Sequence, residues 1–180
     1  MTRILRGILI GLTVLIVIGT SGIAMALHGE TFISPWLPGL LSLALGASTS
    51  LVMWKWWIPL TGTDSRLFNT LCHIVTVTSV AIAAFYGANY AFADRSTHHT
   101  EMAVVEGRYS ETRYHSRRVG RRVVGRGEPY KVYHIEVCLT DGQKKRLSVP
   151  FGRFRRIHTG DTISLPVEQG ALGFPVIRKE

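Results

Sequence analysis

The residues whose types and spacing could do chemistry in this chain are basic. Arg113, Arg117, Arg118, Arg121, Arg122 and Arg126 fall within 14 residues, interrupted by Gly120 and Gly125 and followed by Gly127. Lys144, Lys145, Arg146, Arg153, Arg155 and Arg156 form a second group. Guanidinium and ammonium groups at this density attract phosphate and carboxylate. Near a negatively charged membrane surface each contributes on the order of 1 kcal/mol. The twelve are read as a contact for anionic lipid headgroups or an acidic protein partner. The plainer reading is a solvated face that keeps the segment soluble. Nucleic acid is disfavoured, because no DNA- or RNA-binding motif accompanies the charge.

Catalysis has less to rest on. The sequence contains no P-loop, no GxSxG, no HExxH and no dinucleotide fingerprint. Ser148, His134 and Asp141 could be combined into a triad on paper, but any small domain holds such a set by chance. Zinc requires three or four convergent ligands at ordinary spacings. His98, His99, His115, His134 and His158 lack those spacings, and Cys138 stands far from Cys72. The expectation is a protein that is not an enzyme and carries no metal or cofactor. His73 is a separate case, because an ionisable residue inside an apolar span is a candidate for proton relay or metal binding. The competing reading is an interfacial histidine near the cytoplasmic end of its span.

The elements that must position these residues follow from composition. The chain has 180 residues, is 46% hydrophobic and only 18% charged, and has a formal net charge of +9. Of its 21 Lys and Arg, only Arg3, Arg6, Lys55 and Arg66 precede Asp94, against Glu30 and Asp64. The first half is too poor in charge for a water-soluble surface, which excludes a single soluble domain. Two cysteines exclude a disulfide-stapled mini-protein.

Three apolar spans are predicted as transmembrane helices, at about 4–27, 36–57 and 67–92. The first covers about 24 residues, or about 36 Å of helix, against a hydrocarbon core near ~30 Å. Ser34 suits an N-cap and Pro35 a first helical position for the second. Trp36 at one end, and Trp54, Trp56 and Trp57 around Lys55 at the other, read as interface anchors. The first span also resembles a signal peptide, with Ala24-Met25-Ala26 as a small-x-small cleavage site, and that alternative stays open. Small residues four apart (Gly7 and Gly11; Ser42, Gly46 and Ser50; Ser79, Ala83, Gly87 and Ala91) read as packing seams of a bundle, with a homo-oligomer seam as the alternative.

Basic residues flanking the short loops give the orientation. With the N-terminus cytoplasmic, Arg3, Arg6, Lys55 and Arg66 all lie inside, and the loop from His28 to Ser34 carries no Lys or Arg. Three crossings then place the C-terminal domain outside the cytoplasm of a plasma (bacterial inner) membrane.

Residues 94–100 read as a linker and 101–180 as a basic antiparallel β-domain. Tyr133, Ile135, Val137 and Leu139 alternate with polar neighbours, as do Leu147, Val149 and Phe151. A two-residue Asp141-Gly142 turn would set Val137 against Arg146. A three-residue loop, with Gly142 left-handed, pairs Ile135 with Leu147 and Tyr133 with Val149 and keeps one face apolar, so that register is predicted. Further strands are expected at Met102–Tyr109, Thr162–Val167 and Leu172–Ile177. Tyr114–Val124 reads as another strand or hairpin arm, and Phe151–His158 as a helical turn. The fold class is a three-helix membrane bundle plus a small all-β domain, an OB- or SH3-like barrel or sandwich.

The succession of a basic hairpin, "YHIEVCLTDGQ", "HTGDTISLPVEQG" and "GALGFPVI" over residues 100–178 resembles small uncharacterised bacterial membrane proteins with an N-terminal helical bundle and a C-terminal β-domain. The resemblance implies an architecture and supplies no catalytic residues. The functional expectation is a non-catalytic, membrane-anchored binding or accessory module. The alternative is a small transporter or channel subunit, in which His73 or Asn89 would face a water-filled path.

Overall fold

A computed structural model describes residues 2–118, 124–139 and 142–178. Three helical segments of 26 residues each, Arg3–His28, Trp36–Thr61 and Arg66–Ala91, are long and apolar enough to cross a membrane. Residue contacts divide the chain into two compact units, 1–98 with 168–178, and 99–167.

In the first unit, α1 (Arg3–His28) is capped by the Thr2 hydroxyl, which accepts from the Leu5 amide at 3.4 Å. α2 (Trp36–Met53) starts without a side-chain cap: Pro35 occupies the cap position, one residue after the expected Ser34. A 3₁₀ turn, Trp54–Trp57, and a short α3 (Ile58–Thr61) extend the second span. The interruption has a chemical cause, since Pro59 has no N–H to donate back into the preceding turn. α4 (Arg66–Ala91) is capped by Ser65, whose hydroxyl accepts from the Phe68 amide at 3.4 Å.

α4 is central, with α1 and α2 each packed along it. On α2 the buried side is Ser42, Gly46 and Ser50. An added Cβ on Gly46 would sit 2.8 Å from Thr78 Oγ1 and 3.1 Å from the Ile74 carbonyl oxygen, so this seam depends on the missing side chain. α1 is joined to α4 by Ser79, whose hydroxyl lies 2.8 Å from Thr20 Oγ1 and 2.9 Å from Ser21 Oγ. An added Cβ on Gly7 or Gly11 would meet nothing within 4 Å among the described residues.

Residues 168–178 belong to this helical unit and seat on the ends of α1 and α4. Phe32 N donates to the Pro175 carbonyl at 2.8 Å and Ile177 N to the Glu30 carbonyl at 2.7 Å. Arg178 Nε donates to the buried Glu168 carboxylate at 3.1 Å, and its guanidinium lies 5.1 Å from the Tyr90 ring centroid.

The sheet holds β1 (Asp94–Arg118), β2 (Val124–Leu139), β3 (Lys144–Val149), β4 (Thr162–Gln169) and β5 (Pro175–Ile177) in the order β3-β2-β1-β4-β5. The stretch 94–100, expected as a linker, is strand: β1 runs through it, through Met102–Tyr109 and on to Arg118. Residues 119–123 of the expected Tyr114–Val124 segment lie outside the described residues, and Val124 opens β2. The polar side chains of 94–100 hide a backbone that is paired all the same. The last strand is shorter than expected, Pro175–Ile177, because Gly170–Gly173 forms a turn closed by Gly173 N on the Gly170 carbonyl at 2.8 Å.

The β2–β3 register is Tyr133 with Val149 and Ile135 with Leu147, the arrangement expected from face parity. Leu139 N donates to the Gln143 carbonyl and Gly142 N to the Leu139 carbonyl, both at 2.9 Å, with Gly142 at φ 83°. Left-handed backbone of this kind favours glycine. Thr140 and Asp141 of that loop lie outside the described residues. β1 pairs antiparallel with β2, with register shifts between Val105 and Gly107 and between Tyr114 and Ser116. Within the second unit, Ala103, Val105, Ile135, Val137, Leu139, Ile157, Leu165 and Val167 are buried. Phe151–Arg156 forms α5, the expected helical turn.

Candidate functional site

The twelve basic residues separate by what they touch. Arg121 and Arg122 lie outside the described residues, as does the side chain of Arg118. Arg113 donates to Glu111 Oε2 at 3.1 Å, and Lys144 Nζ lies 2.7 Å from Glu106 Oε2. Those hydrogen bonds hold the Glu111 carboxyl below the usual carboxylate range and raise the Lys144 ammonium. Arg146 reaches Glu136 at 3.8 Å and stacks over the Tyr109 ring. Lys145 does not face outward with its neighbours. It pairs with Val137 on the side of β3 that Leu147 and Val149 share, and burial lowers its ammonium to about 8. Arg117, Arg126, Arg153, Arg155 and Arg156 are exposed and have no carboxylate within ion-pair reach among the described residues.

Three of those five share α5. Its sequence, FGRFRR, turns Phe154 onto Tyr133, with ring centroids 4.9 Å apart, and leaves Arg153, Arg155 and Arg156 exposed. Phe151 also stacks on Tyr133, at 5.0 Å, yet remains 53% exposed. Arg108 of β1 fixes the helix from below: its guanidinium lies 4.3 Å from the Phe154 centroid and donates to the Ile157 carbonyl at 2.8 Å. Sequence reasoning missed Arg108 as a positioning residue, because its role appears only once β1 and α5 are brought together.

The other two lie on the two-stranded ribbon that β1 and β2 form. Arg126 stands over the Tyr114 ring at 5.3 Å. Arg117 lines an open hollow at the second register shift together with His115, Ser116, Gly127 and Glu128. The ribbon therefore mixes acid with base, whereas α5 carries no acid.

A second cluster sits at the root of the ribbon. His134 faces Tyr109 across the β1–β2 pair, with ring centroids 5.4 Å apart, and Glu111 Oε2 lies 3.8 Å from Nε2. Both ring nitrogens and the Tyr109 hydroxyl are buried without a hydrogen-bond partner among the described residues. Alternation along β2 assigns His134 to the outer face. Its burial there comes from β1, so β2 alone carries no signal for it. Ser148 pairs with His134 across β2–β3, but no hydrogen bond joins them.

In the apolar helices His73 is buried and engaged at both nitrogens. Trp57 Nε1 donates to Nδ1 at 3.1 Å, and Thr49 Oγ1 lies 2.9 Å from Nε2. Asn89 is equally occupied: its amide donates to the Phe174 carbonyl at 3.0 Å and accepts from the Leu172 amide at 2.9 Å. Trp36 and Trp56 are exposed, Trp54 lies between Lys55 and Arg66 at 5.8 Å from each, and Trp57 turns inward to His73.

No family model, curated protein or solved structure matches this chain.

Proposed function

We propose that this chain is a non-catalytic, membrane-anchored module that offers a basic surface to anionic groups. The three apolar helices anchor it in a plasma membrane of bacterial inner-membrane type, with the N-terminus cytoplasmic. The small β-unit, in this reading an OB- or SH3-like module, stands outside the cytoplasm. The observation that carries the reading is the set of exposed arginines without a carboxylate partner among the described residues, Arg117, Arg126, Arg153, Arg155 and Arg156. Uncompensated guanidinium groups favour phosphate and carboxylate ligands. Transport is the weaker reading, because the hydrogen-bonding groups of His73 and Asn89 are taken up by protein partners.

The test uses the full chain in phosphatidylcholine nanodiscs, titrated calorimetrically with inorganic tripolyphosphate. Binding that weakens steeply with salt, and is lost when all five arginines are replaced by Gln, is expected. Absence of binding, or binding indifferent to salt, overturns the reading. Protease removal of a C-terminal tag from cells stripped of any outer barrier is expected, and survival of the tag until lysis reverses the orientation.

A further inference from the structure

We infer that α5 is a contact for anionic phospholipid headgroups, with Arg153, Arg155 and Arg156 on lipid phosphates and Phe151 at the headgroup level. This rests on the anchored, anion-binding reading above and narrows it to one element and one ligand chemistry.

Three observations single out α5. Its three exposed arginines have no carboxylate partner among the described residues, whereas Arg117 on the ribbon shares its hollow with Glu128. Phe151 is half-exposed beside them, and Arg155 lies 5.9 Å from its ring centroid. A half-exposed aromatic ring set among arginines matches the membrane interface, where rings sit at headgroup level and guanidinium groups find phosphate. An acidic protein surface would satisfy the arginines but gives the ring no reason to remain in water.

The helix is also held rigid. Phe151 and Phe154 both stack on Tyr133, and Arg108 packs beneath Phe154 and donates to the Ile157 carbonyl. Its arginines therefore project from a fixed platform, which lowers the ordering cost of binding. β1 starts at Asp94, soon after α4 ends at Ala91, so in the anchored reading the module stays tethered at a lipid surface.

Hydrogen exchange of the full chain in nanodiscs tests this, comparing phosphatidylcholine alone with a phosphatidylcholine–phosphatidylglycerol mixture. The Arg153, Phe154 and Ile157 amides, which close α5 onto Pro150 and Arg153, are the reporters. Phosphatidylglycerol should slow their exchange several-fold, and added salt should reverse the slowing. The R153Q/R155Q/R156Q variant should lose it, while the charge-keeping R153K/R155K/R156K variant should retain most of it. Slowing confined to the ribbon around Arg117 and Arg126 overturns the assignment to α5 and leaves the anion-binding reading standing. Tripolyphosphate binding without any phosphatidylglycerol effect overturns the lipid assignment alone. Failure of both probes overturns the two together.

Discussion

Trp57 Nε1 donates to His73 Nδ1 at 3.1 Å, and that bond decides the state of the histidine. With Nδ1 accepting, the neutral ring carries its proton on Nε2, which faces Thr49 Oγ1 at 2.9 Å. The Thr49 hydroxyl then donates to the Leu45 carbonyl at 2.7 Å. Tautomer assignment from a closed network of this kind leaves no free proton site on the ring. His73 therefore pins the 3₁₀ turn to α4.

Replacing His73 by Leu strands the Trp57 N–H in an apolar setting. We expect a loss of about 1–3 kcal/mol in unfolding of the full chain in micelles, with tripolyphosphate binding unchanged. His73→Gln, which can both accept and donate, should recover part of it. A stable His73→Leu variant would refute the pin.

Asn89 makes the corresponding prediction at the other end of α4. Its side chain serves the Phe174 carbonyl and the Leu172 amide, and its own carbonyl accepts from Ala171 N at 3.2 Å. Asn89→Leu leaves two backbone groups of the 170–174 turn without partners, at about 1–3 kcal/mol each. Hydrogen exchange at Leu172 should become fast and protease should cut in this turn first. An unchanged Leu172 amide would show that the β5 pairing with residues 30–32 suffices.

Lys145 predicts a pH dependence. Burial lowers its folded pKa to about 8, below the unfolded value near 10.5. Between these values the unfolded chain binds more protons, so stability rises as pH rises through that window. Below about 8 both states are charged and the desolvation cost is fully present. The ammonium is partly solvated, so the cost is discounted to roughly 1 kcal/mol. Lys145→Met should raise the unfolding midpoint at neutral pH and flatten its rise toward pH ~10. Parallel pH profiles for the two proteins would contradict this.

How much of this was legible turns on the same strand. Parity alone required Ile135 opposite Leu147, and the structure has that pair. The same register puts Lys145 opposite Val137, so its inward placement was already implied. Reading Lys144, Lys145 and Arg146 as one charge run concealed it. The three apolar segments were legible because length and hydropathy are local properties. Neither the burial of His134 beneath Tyr109 nor the docking of residues 170–174 on Asn89 was, since each depends on partners distant in sequence. Arg108 under α5 is the same case, and it is the residue that fixes the proposed lipid contact.

The glycines of the first two helices give the last prediction. An added Cβ at Gly46 would lie 2.8 Å from Thr78 Oγ1 and 3.1 Å from the Ile74 carbonyl oxygen. The threonine hydroxyl can rotate away, but the carbonyl moves only with α4 itself. Gly46→Ala should therefore cost about 1–3 kcal/mol by overpacking, and Gly46→Val more. Gly7 and Gly11 have nothing within 4 Å of an added Cβ among the described residues, so Gly7→Ala and Gly11→Ala should be neutral or stabilising. Unfolding in micelles separates the two classes. If Gly7→Ile and Gly11→Ile leave monomer stability intact yet change the mass measured by light scattering, that helix face packs on a second copy. If mass and stability both hold, it faces lipid, and Gly46 alone among these glycines is needed for packing.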